Sequence, residues 1–303
     1  MTAYTQVSSN RFKTWLIMLL FALFVTFIVY VFTIALGFRG PSALSFSGIA
    51  LIIAGILNFF SYYTSDKLVM AISGARQIQK KDNPTLFRTV ENLCIASGLP
   101  MPKIFTINDS APNAFATGRD PNHAAIAFTT GILSKLNKLE LEGVTAHELS
   151  HVGNYDTRLM TVVSILVGTI ALAADFFLRI SFYSRGDKDN DRGGNAIFLA
   201  LGLIMAILAP IIAALIQLAI SRKREFLADA SGTLLTRNPD SLADALLKIS
   251  SDKEPLEAAN KATAHLYIVN PLKNQKNAIG WFANLFNTHP PIEERVKALR
   301  VMQ

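Results

Sequence analysis

The chain has 303 residues, of which 51% are hydrophobic and 17% are charged, and its net charge is +7 at pH 7. A mean hydropathy of +0.34 is unusual for a freely soluble protein, so we expect a membrane protein. The basic residues gather beside apolar runs and are not interleaved with aromatic side chains, which argues against nucleic-acid binding. The single cysteine, Cys94, excludes an internal disulfide and is expected to be a packed core thiol in a reducing compartment.

Two long runs without any charge come first, at residues 14–38 and 40–65. Each is long enough to cross a bilayer as a helix, and the Arg39–Pro41 segment predicts a tight hairpin between them. A cleaved signal peptide is the alternative for the first run, but that run is too long for a signal core and a second follows at once. Residues 1–65 are therefore predicted to form two transmembrane helices in a hairpin.

Two further apolar runs lie at residues 159–183 and 196–220, joined by the polar linker 184–194. The third run contains Asp175, and an acid that faces lipid is costly, so this residue is expected to face another helix, water or the headgroup boundary. We expect residues 159–220 to form a second transmembrane hairpin. The alternative is a buried or interfacial hairpin that does not fully cross the membrane.

Lysine and arginine near the span ends predict the orientation of a multi-pass protein. Four crossings place the following basic residues on one side: Arg11, Lys13, Lys67, Arg76, Lys80, Lys81, Arg158, Arg222, Lys223 and Arg224. The opposite side has Arg39 and the linker 184–194, whose basic residues are matched by acids. The chain ends and the polar segments are therefore predicted to be cytoplasmic.

The two polar stretches, 66–158 and 221–303, are expected to fold together, because neither has much core of its own. Helices are predicted at 84–97, 138–152, 224–235, 239–250 and 291–301, and two short strands at 103–108 and 124–129. The expected fold class is mainly α with a small β-sheet, within a multi-span helical membrane protein.

His147 and His151 flank Glu148 in the sequence HELSH, on a predicted helix. Residues four apart lie on one helix face, so both imidazoles can bind the same metal ion. Zinc with three protein ligands keeps an open position for water, and Glu148 can take a proton from that water as it attacks a peptide carbonyl. The pattern predicts a zinc peptidase. A chance spacing of two histidines is the alternative, which is improbable in a chain with five histidines.

A third metal ligand is needed, and the sequence offers several. The histidine candidates are His123, His265 and His289. Among the carboxylates, Glu225 opens a predicted helix after the fourth apolar run, and Asp229 follows one turn later on the same face. An acid in that position can accept a hydrogen bond from a liganding imidazole. From the spacing alone, helix pairing with nearby basic residues explains both carboxylates equally well.

The chain resembles the HtpX family of membrane zinc metalloproteases, which is related to the CAAX prenyl proteases. Four motifs carry the resemblance, which covers essentially the whole chain: NAFATG at 113–118, HELSH at 147–151, SRKREFLADASG at 221–232 and THPPIEER at 288–295. The resemblance implies a zincin-like catalytic domain of the gluzincin type. It also implies one zinc ion bound by His147, His151 and Glu225, with Glu148 as the catalytic base and Asp229 behind the ligands.

The resemblance further implies proteolytic quality control of misfolded or damaged membrane proteins under stress, at the cytoplasmic face of a bacterial inner membrane. The expected partners are membrane-protein or unfolded polypeptide substrates and the lipid bilayer, without nucleic acid. One alternative is a processing protease for lipidated or membrane-anchored substrates, and another is a non-catalytic membrane scaffold stabilised by zinc. Glu148 favours a protease, since a structural zinc site needs no base.

Two more residues receive alternative interpretations. Asn113 begins a segment that forms either a surface turn or an edge strand, and in the second case it hydrogen-bonds an extended substrate added to that edge. His289 either stabilises the oxyanion formed on attack or caps the terminal helix. If the HELSH helix runs on into the apolar run that begins at Leu159, the catalytic water lies near the membrane surface.

Overall fold

The computed structural model describes residues 3–35, 40–166, 222–259, 263–269 and 290–302. Most of the third predicted span, all of the fourth and the linker between them lie outside these ranges. The α-helices are α1 (Ala3–Ala35), α2 (Pro41–Ile72), α3 (Pro84–Ser97), α4 (Thr130–Lys135), α5 (Lys138–Gly153), α6 (described over 156–166), α7 (Arg222–Thr236), α8 (Pro239–Ser251) and α9 (Ile292–Arg300). The strands are β1 (Arg76–Gln77), β2 (Lys103–Ile107), β3 (Ala114–Gly118) and β4 (Ala124–Thr129).

Helices α1 and α2 are the two long apolar helices predicted from the first two runs, and they pack against each other. Within them, Val7–Tyr30 and Leu44–Ile72 are long and apolar enough to cross a membrane. Their outer faces carry large exposed apolar side chains, for example Leu19 at 57% and Ile52 at 64% exposure. Such a surface is expected where a helix contacts lipid instead of water.

The four strands form one mixed sheet in the order β1-β2-β4-β3. Strands β2 and β4, the two predicted from sequence, are parallel, and β1 and β3 pair antiparallel at the two edges. Strand β3 contains most of the NAFATG motif, so the edge-strand interpretation of that motif is right and the surface turn is wrong. Strand β1 has only two residues and was not predicted.

Local sequence signals set the boundaries of the helices around the HELSH motif. The Asn83 side chain caps α3, and Gly98 ends it with a φ of 69°. Helix α5 begins with a capping box, in which Asn137 and Glu140 each bind the other's backbone N–H. Lys248 of α8 binds the Glu140 carboxylate at 2.6 Å and thereby fixes the start of α5 on its neighbour. The predicted range of α5 therefore agrees closely with the observed one.

The chain turns between α5 and α6 at Asn154 and Tyr155. Tyr155 has a φ of 59°, a left-handed conformation that residues other than glycine adopt rarely. Because this residue leaves the right-handed region, the helical hydrogen-bond pattern cannot continue through it. The HELSH helix therefore does not run on unbroken toward Leu159, in agreement with its predicted end at residue 152.

The polar stretches before and after the 167–221 segment share one core around α5. Helix α5 packs against α3, α7 and α8, and α9 packs against α8. Five buried side chains of the shared apolar cluster come from α3, β4, α5, α8 and α9 respectively: Leu86, Ile126, Leu149, Leu246 and Leu299. Helix α5 is buried on nearly every face, so its polar residues must find partners inside the protein.

Candidate active site and metal centre

His147 and His151 face each other on one side of α5. Their Nε2 atoms are 3.2 Å apart, and the two residues are only 1% and 5% exposed. Two nitrogen ligands of one tetrahedral zinc ion lie roughly 3.3 Å apart at the usual zinc–nitrogen distance. The observed spacing therefore fits a shared metal ion.

Glu225 of α7 brings a carboxylate to the two histidines. Its Oε1 lies 3.4 Å from His151 Nε2, and its Oε2 lies 3.8 Å from His147 Nε2. The potential ligand atoms of the three residues lie within 4.8 Å of one another, and all three residues are buried. Two imidazoles and a glutamate form a ligand set that catalytic zinc uses.

The other third-ligand candidates do not join this cluster in the part of the chain that the structure describes. His123 is exposed, and its Nδ1 lies 2.7 Å from Asp120 Oδ1. The side chain of His265 and the whole of His289 lie outside the described residues. The two interpretations of His289 therefore stay predictions.

Each of the two imidazoles has a carboxylate behind it. His147 Nδ1 lies 2.9 Å from Asp229 Oδ1, and His151 Nδ1 lies 3.1 Å from Asp156 Oδ2. We assign the Nδ1–H of each ring as the donor to its carboxylate, which turns both Nε2 lone pairs toward each other. Two lone pairs at this distance repel each other unless a cation lies between them, so the donor set fits a metal ion.

The buried charges around the cluster favour a positive charge at its centre. Burial opposes a charge on His151, but Asp156 and Glu225 outweigh it and raise the pKa of His151 well above its usual value. A metal cation satisfies the same carboxylates. Burial likewise opposes the ionisation of Asp229, yet the neighbouring Arg295 guanidinium and the imidazole lower the pKa of Asp229 to about 2.

Arg295 of α9 is a site residue to which the sequence analysis gave no role. It is fully buried, and its Nε and Nη2 lie 2.9 Å and 2.6 Å from the two carboxylate oxygens of Asp229. Its Nη1 lies 3.4 Å from Glu225 Oε2, so one guanidinium balances two carboxylates of the site. A signal was available, because Arg295 belongs to the THPPIEER motif, in which only His289 received a role.

Asp156 is the second site residue that was missed, and no signal in the sequence pointed to it. It lies five positions after His151, which in an unbroken helix would turn its side chain about 140° away. The turn at Asn154 and Tyr155 brings the carboxylate back to the imidazole. A contact that depends on a helix break cannot be read from helical spacing.

Glu148 follows His147 on α5 and is 3% exposed. Together with both histidines it lines a narrow pocket between α5 and the edge strand β3. Glu148 therefore shares the pocket with the two histidines, as a base must to take a proton from water that attacks a bound peptide.

Strand β3 turns its outer edge toward this pocket. The Ala114 carbonyl accepts a hydrogen bond from Ile268 N at 3.0 Å, and Gly118 N donates to Thr161 Oγ1 at 3.3 Å. Outward-facing backbone groups recur at every second residue of an antiparallel edge strand, so Ala116 also directs its N–H and C=O outward. Ala116 lines the pocket, and the part of the edge that faces the site is centred on it.

Asn113 binds the backbone of Val269 in its own chain. Its Nδ2 donates to Val269 O at 2.9 Å, and its Oδ1 accepts from Ala114 N at 3.1 Å and from Val269 N at 3.4 Å. The side chain thus binds a backbone segment next to the edge strand, which is the kind of contact predicted with a substrate. The segment that it binds, however, belongs to the protein itself. Its contact with substrate stays a prediction.

The sequence pattern of peptidase family M48 matches residues 80–303. The chain belongs to peptidase family M48. A protease HtpX homolog of Dictyoglomus thermophilum is 43% identical over 303 residues, which cover 99% of this chain and 95% of that relative. A protease HtpX homolog of Tropheryma whipplei is 44% identical over 305 residues, with 99% and 98% covered. The predicted resemblance to HtpX is confirmed, and this M48 chain is a protease.

A similar solved structure is the crystal structure of S. mikatae Ste24p, with 18% sequence identity and a TM-score of 0.48. The similarity covers 98% of this chain and 67% of the Ste24p chain. Family membership, the buried cluster of two histidines and a glutamate, and two apolar helices together indicate a metal-dependent protease of a membrane.

Proposed function

We propose that the chain is a membrane-embedded zinc endopeptidase that cleaves misfolded or damaged membrane proteins, with one zinc ion bound by His147, His151 and Glu225. The observation that carries this proposal is the buried cluster of these three side chains with Glu148 beside it. A zinc site that only stabilises a fold needs no general base, whereas peptide hydrolysis does. The position of Glu148 therefore favours hydrolysis over a structural role for the metal.

When bound, zinc supplies a Lewis acid that polarises the peptide carbonyl and lowers the pKa of water. Glu148 accepts the proton of the attacking water and then delivers a proton to the leaving amine. Asp229 and Asp156 hold the two imidazoles with their Nε2 atoms turned inward, so the ligands are oriented before substrate arrives.

The edge of β3 is the proposed binding surface for the substrate backbone. An extended peptide would add to this edge through the N–H and C=O of Ala116, in the manner of an additional strand. The Asn113 side chain, which binds the backbone of Val269, is proposed to exchange this partner for the backbone of the substrate. Hydrogen bonds to the backbone do not depend on the side chains of the substrate. This mode of recognition therefore suits substrates of varied sequence that are all unfolded.

The arrangement in the membrane is a further part of the proposal. Residues 1–65 and 159–220 would cross a bacterial inner membrane as two hairpins, and 66–158 together with 221–303 would form the catalytic domain on the cytoplasmic side. The apolar helices α1 and α2 support the first hairpin. Because α6 starts within a few residues of the zinc helix, the pocket would lie near the membrane surface, within reach of unfolded segments of membrane proteins.

The proposal is tested with the full chain purified in detergent. We expect bound zinc and cleavage of an unfolded membrane protein, loss of cleavage after treatment with a chelator, and recovery on addition of zinc. The Glu225→Ala variant should lose the zinc, and Glu257→Ala, which changes an exposed glutamate, should keep it. Cleavage that persists without metal would contradict the proposal, and cleavage restricted to lipidated peptides would point to a processing protease.

A further inference from the structure

Helix α1 reaches the metal centre through Asn10. This residue is fully buried, and its Nδ2 donates to Asp156 Oδ1 at 2.8 Å and to Asn154 O at 2.9 Å. The other carboxylate oxygen, Asp156 Oδ2, is the one that lies 3.1 Å from His151 Nδ1. A continuous path of buried hydrogen bonds therefore connects the first apolar helix to a metal-binding imidazole.

Helix α1 contacts both residues of the turn before Asp156, which are Asn154 and Tyr155. Asn154 accepts a hydrogen bond from Asn10, and the ring of Tyr155 lies 4.8 Å from the guanidinium carbon of Arg11. Tyr155 has the left-handed backbone conformation, which is unfavourable for a bulky side chain. A conformation of this kind persists where surrounding contacts determine it, and it is concentrated at functional sites.

Asp156 itself is 2% exposed, and three side chains bind its carboxylate in the part of the chain that the structure describes. Besides Asn10 and His151, its carboxylate binds Arg224 of α7, with 3.2 Å between Asp156 Oδ1 and Arg224 Nη1. Asn10 and Arg224 bind the same oxygen, so without the amide of Asn10 this oxygen keeps only Arg224 and the plane of the carboxylate is less firmly fixed. The imidazole of His151, which is oriented by the other oxygen of the same carboxylate, would then also be held less firmly.

We propose that Asn10 is a positioning residue of the metal centre, which acts through Asp156 to fix the imidazole of His151. Helix α1 is then a part of the site and not only a membrane anchor. The inference rests on the proposed metal site. Removing a group directly behind a metal ligand weakens metal binding by about 10- to 100-fold. Asn10 acts one hydrogen bond further out, so its removal should weaken zinc binding by about three- to tenfold.

The test measures zinc affinity by competition with a chelator, on the full chain in detergent. Asn10→Ala should bind zinc about three- to tenfold more weakly, and the isosteric Asn10→Asp more weakly still, because it places a second carboxylate against Asp156. The absorption spectrum of the cobalt-substituted protein should also change in both variants, since it reports the ligand geometry. The matched control is Asn58→Ala, which removes another buried amide of the α1–α2 pair, one that donates to Met18 O at 2.9 Å. The control should keep both zinc affinity and spectrum.

A double-mutant cycle shows whether Asn10 acts through Asp156. The double variant Asn10→Ala with Asp156→Ala should bind zinc as weakly as Asp156→Ala alone. The inference would be overturned if the loss of zinc affinity in the double variant equalled the product of the losses in the two single variants. It would also be overturned if folded Asn10 variants, identified by cooperative unfolding on heating, kept the affinity and spectrum of the wild type. A wild-type chain that binds no zinc would instead overturn the proposed function, so the two failures are distinguishable.

Discussion

Arg295 and Asp229 form a fully buried ion pair behind His147, with two parallel N–H to oxygen bonds of 2.9 Å and 2.6 Å. Two such bonds fix the plane of both groups and are stronger than neutral hydrogen bonds. Arg295 belongs to α9 and Asp229 to α7, the helix that carries Glu225. The pair therefore ties the last helix of the chain to the metal centre.

Replacing Arg295 with alanine should destabilise the protein by about 3–5 kcal/mol, because Asp229 becomes a buried charge without its partner. Arg295→Lys should recover only part of this loss, since an ammonium cannot form two parallel bonds. Thermal unfolding in detergent and zinc content are the measurements. Arg300→Ala is the control on the same helix, where the arginine pairs with Asp240 and Asp244 at the surface, and it should change little. Wild-type stability and zinc content in Arg295→Ala would contradict this account.

Gly232 lets α7 approach α5 closely. A Cβ at this position would lie 3.0 Å from His147 N and 3.2 Å from the carbonyl carbon of Ala146. Gly232→Ala should push the helices apart and withdraw Glu225, which lies two turns earlier on the same face, at a cost of about 1–3 kcal/mol and with weaker zinc binding.

The matched control for this glycine is Gly55→Ala in α2. Among the described residues, no atom lies within 4 Å of the Cβ that it adds. The control should keep wild-type zinc affinity, because an open helical position accepts alanine readily. Equal zinc affinity in the Gly232 and Gly55 variants would show that the close approach does not position Glu225.

Cys94 is buried on α3, and burial raises its pKa to about 11. The thiolate is the reactive form, so at pH 8 the folded protein should react with iodoacetamide at least about a hundredfold more slowly than the denatured protein. Mass spectrometry of the alkylated chain measures both rates. Rapid alkylation of the folded protein would contradict the packed position of this thiol.

If Cys94 reacts as slowly as predicted, labelling of an introduced cysteine is also a clean test of topology. A cysteine introduced at Asn190, in the linker between the third and fourth predicted spans, should react with an impermeant maleimide from outside intact cells. A cysteine at the exposed position Lys253 should react only after the membrane is opened. Labelling of Asn190→Cys only after opening would contradict the second transmembrane hairpin.

The sequence predicted the features that depend on local signals. Caps, apolar periodicity and turn residues lie within a few positions of each helix, which is why α5 was predicted at 138–152 and is observed at Lys138–Gly153. The pairing of His147 with His151 follows from helical geometry alone. Glu225 was one of several candidates from spacing, and only the resemblance to HtpX assigned it.

The remainder of the site depends on contacts between residues that are distant in sequence. Asn10 and Asp156 are 146 positions apart, and Asp229 and Arg295 are 66 positions apart. No periodicity links such pairs, because the contact of α1 with the turn after α5 and the packing of α9 against α7 bring them together. The left-handed conformation of Tyr155 was not predicted for a related reason, since contacts with α1 contribute to it.

The central claim is that Glu148 is the base of a zinc peptidase, and one paired measurement tests it most directly. Zinc content and the rate of cleavage of an unfolded membrane protein are measured on wild type and Glu148→Gln, both purified in detergent. Glu142→Gln, on the same helix, serves as the control. The account predicts wild-type zinc content in Glu148→Gln with a cleavage rate at least about a hundredfold lower. Full cleavage by Glu148→Gln would contradict it.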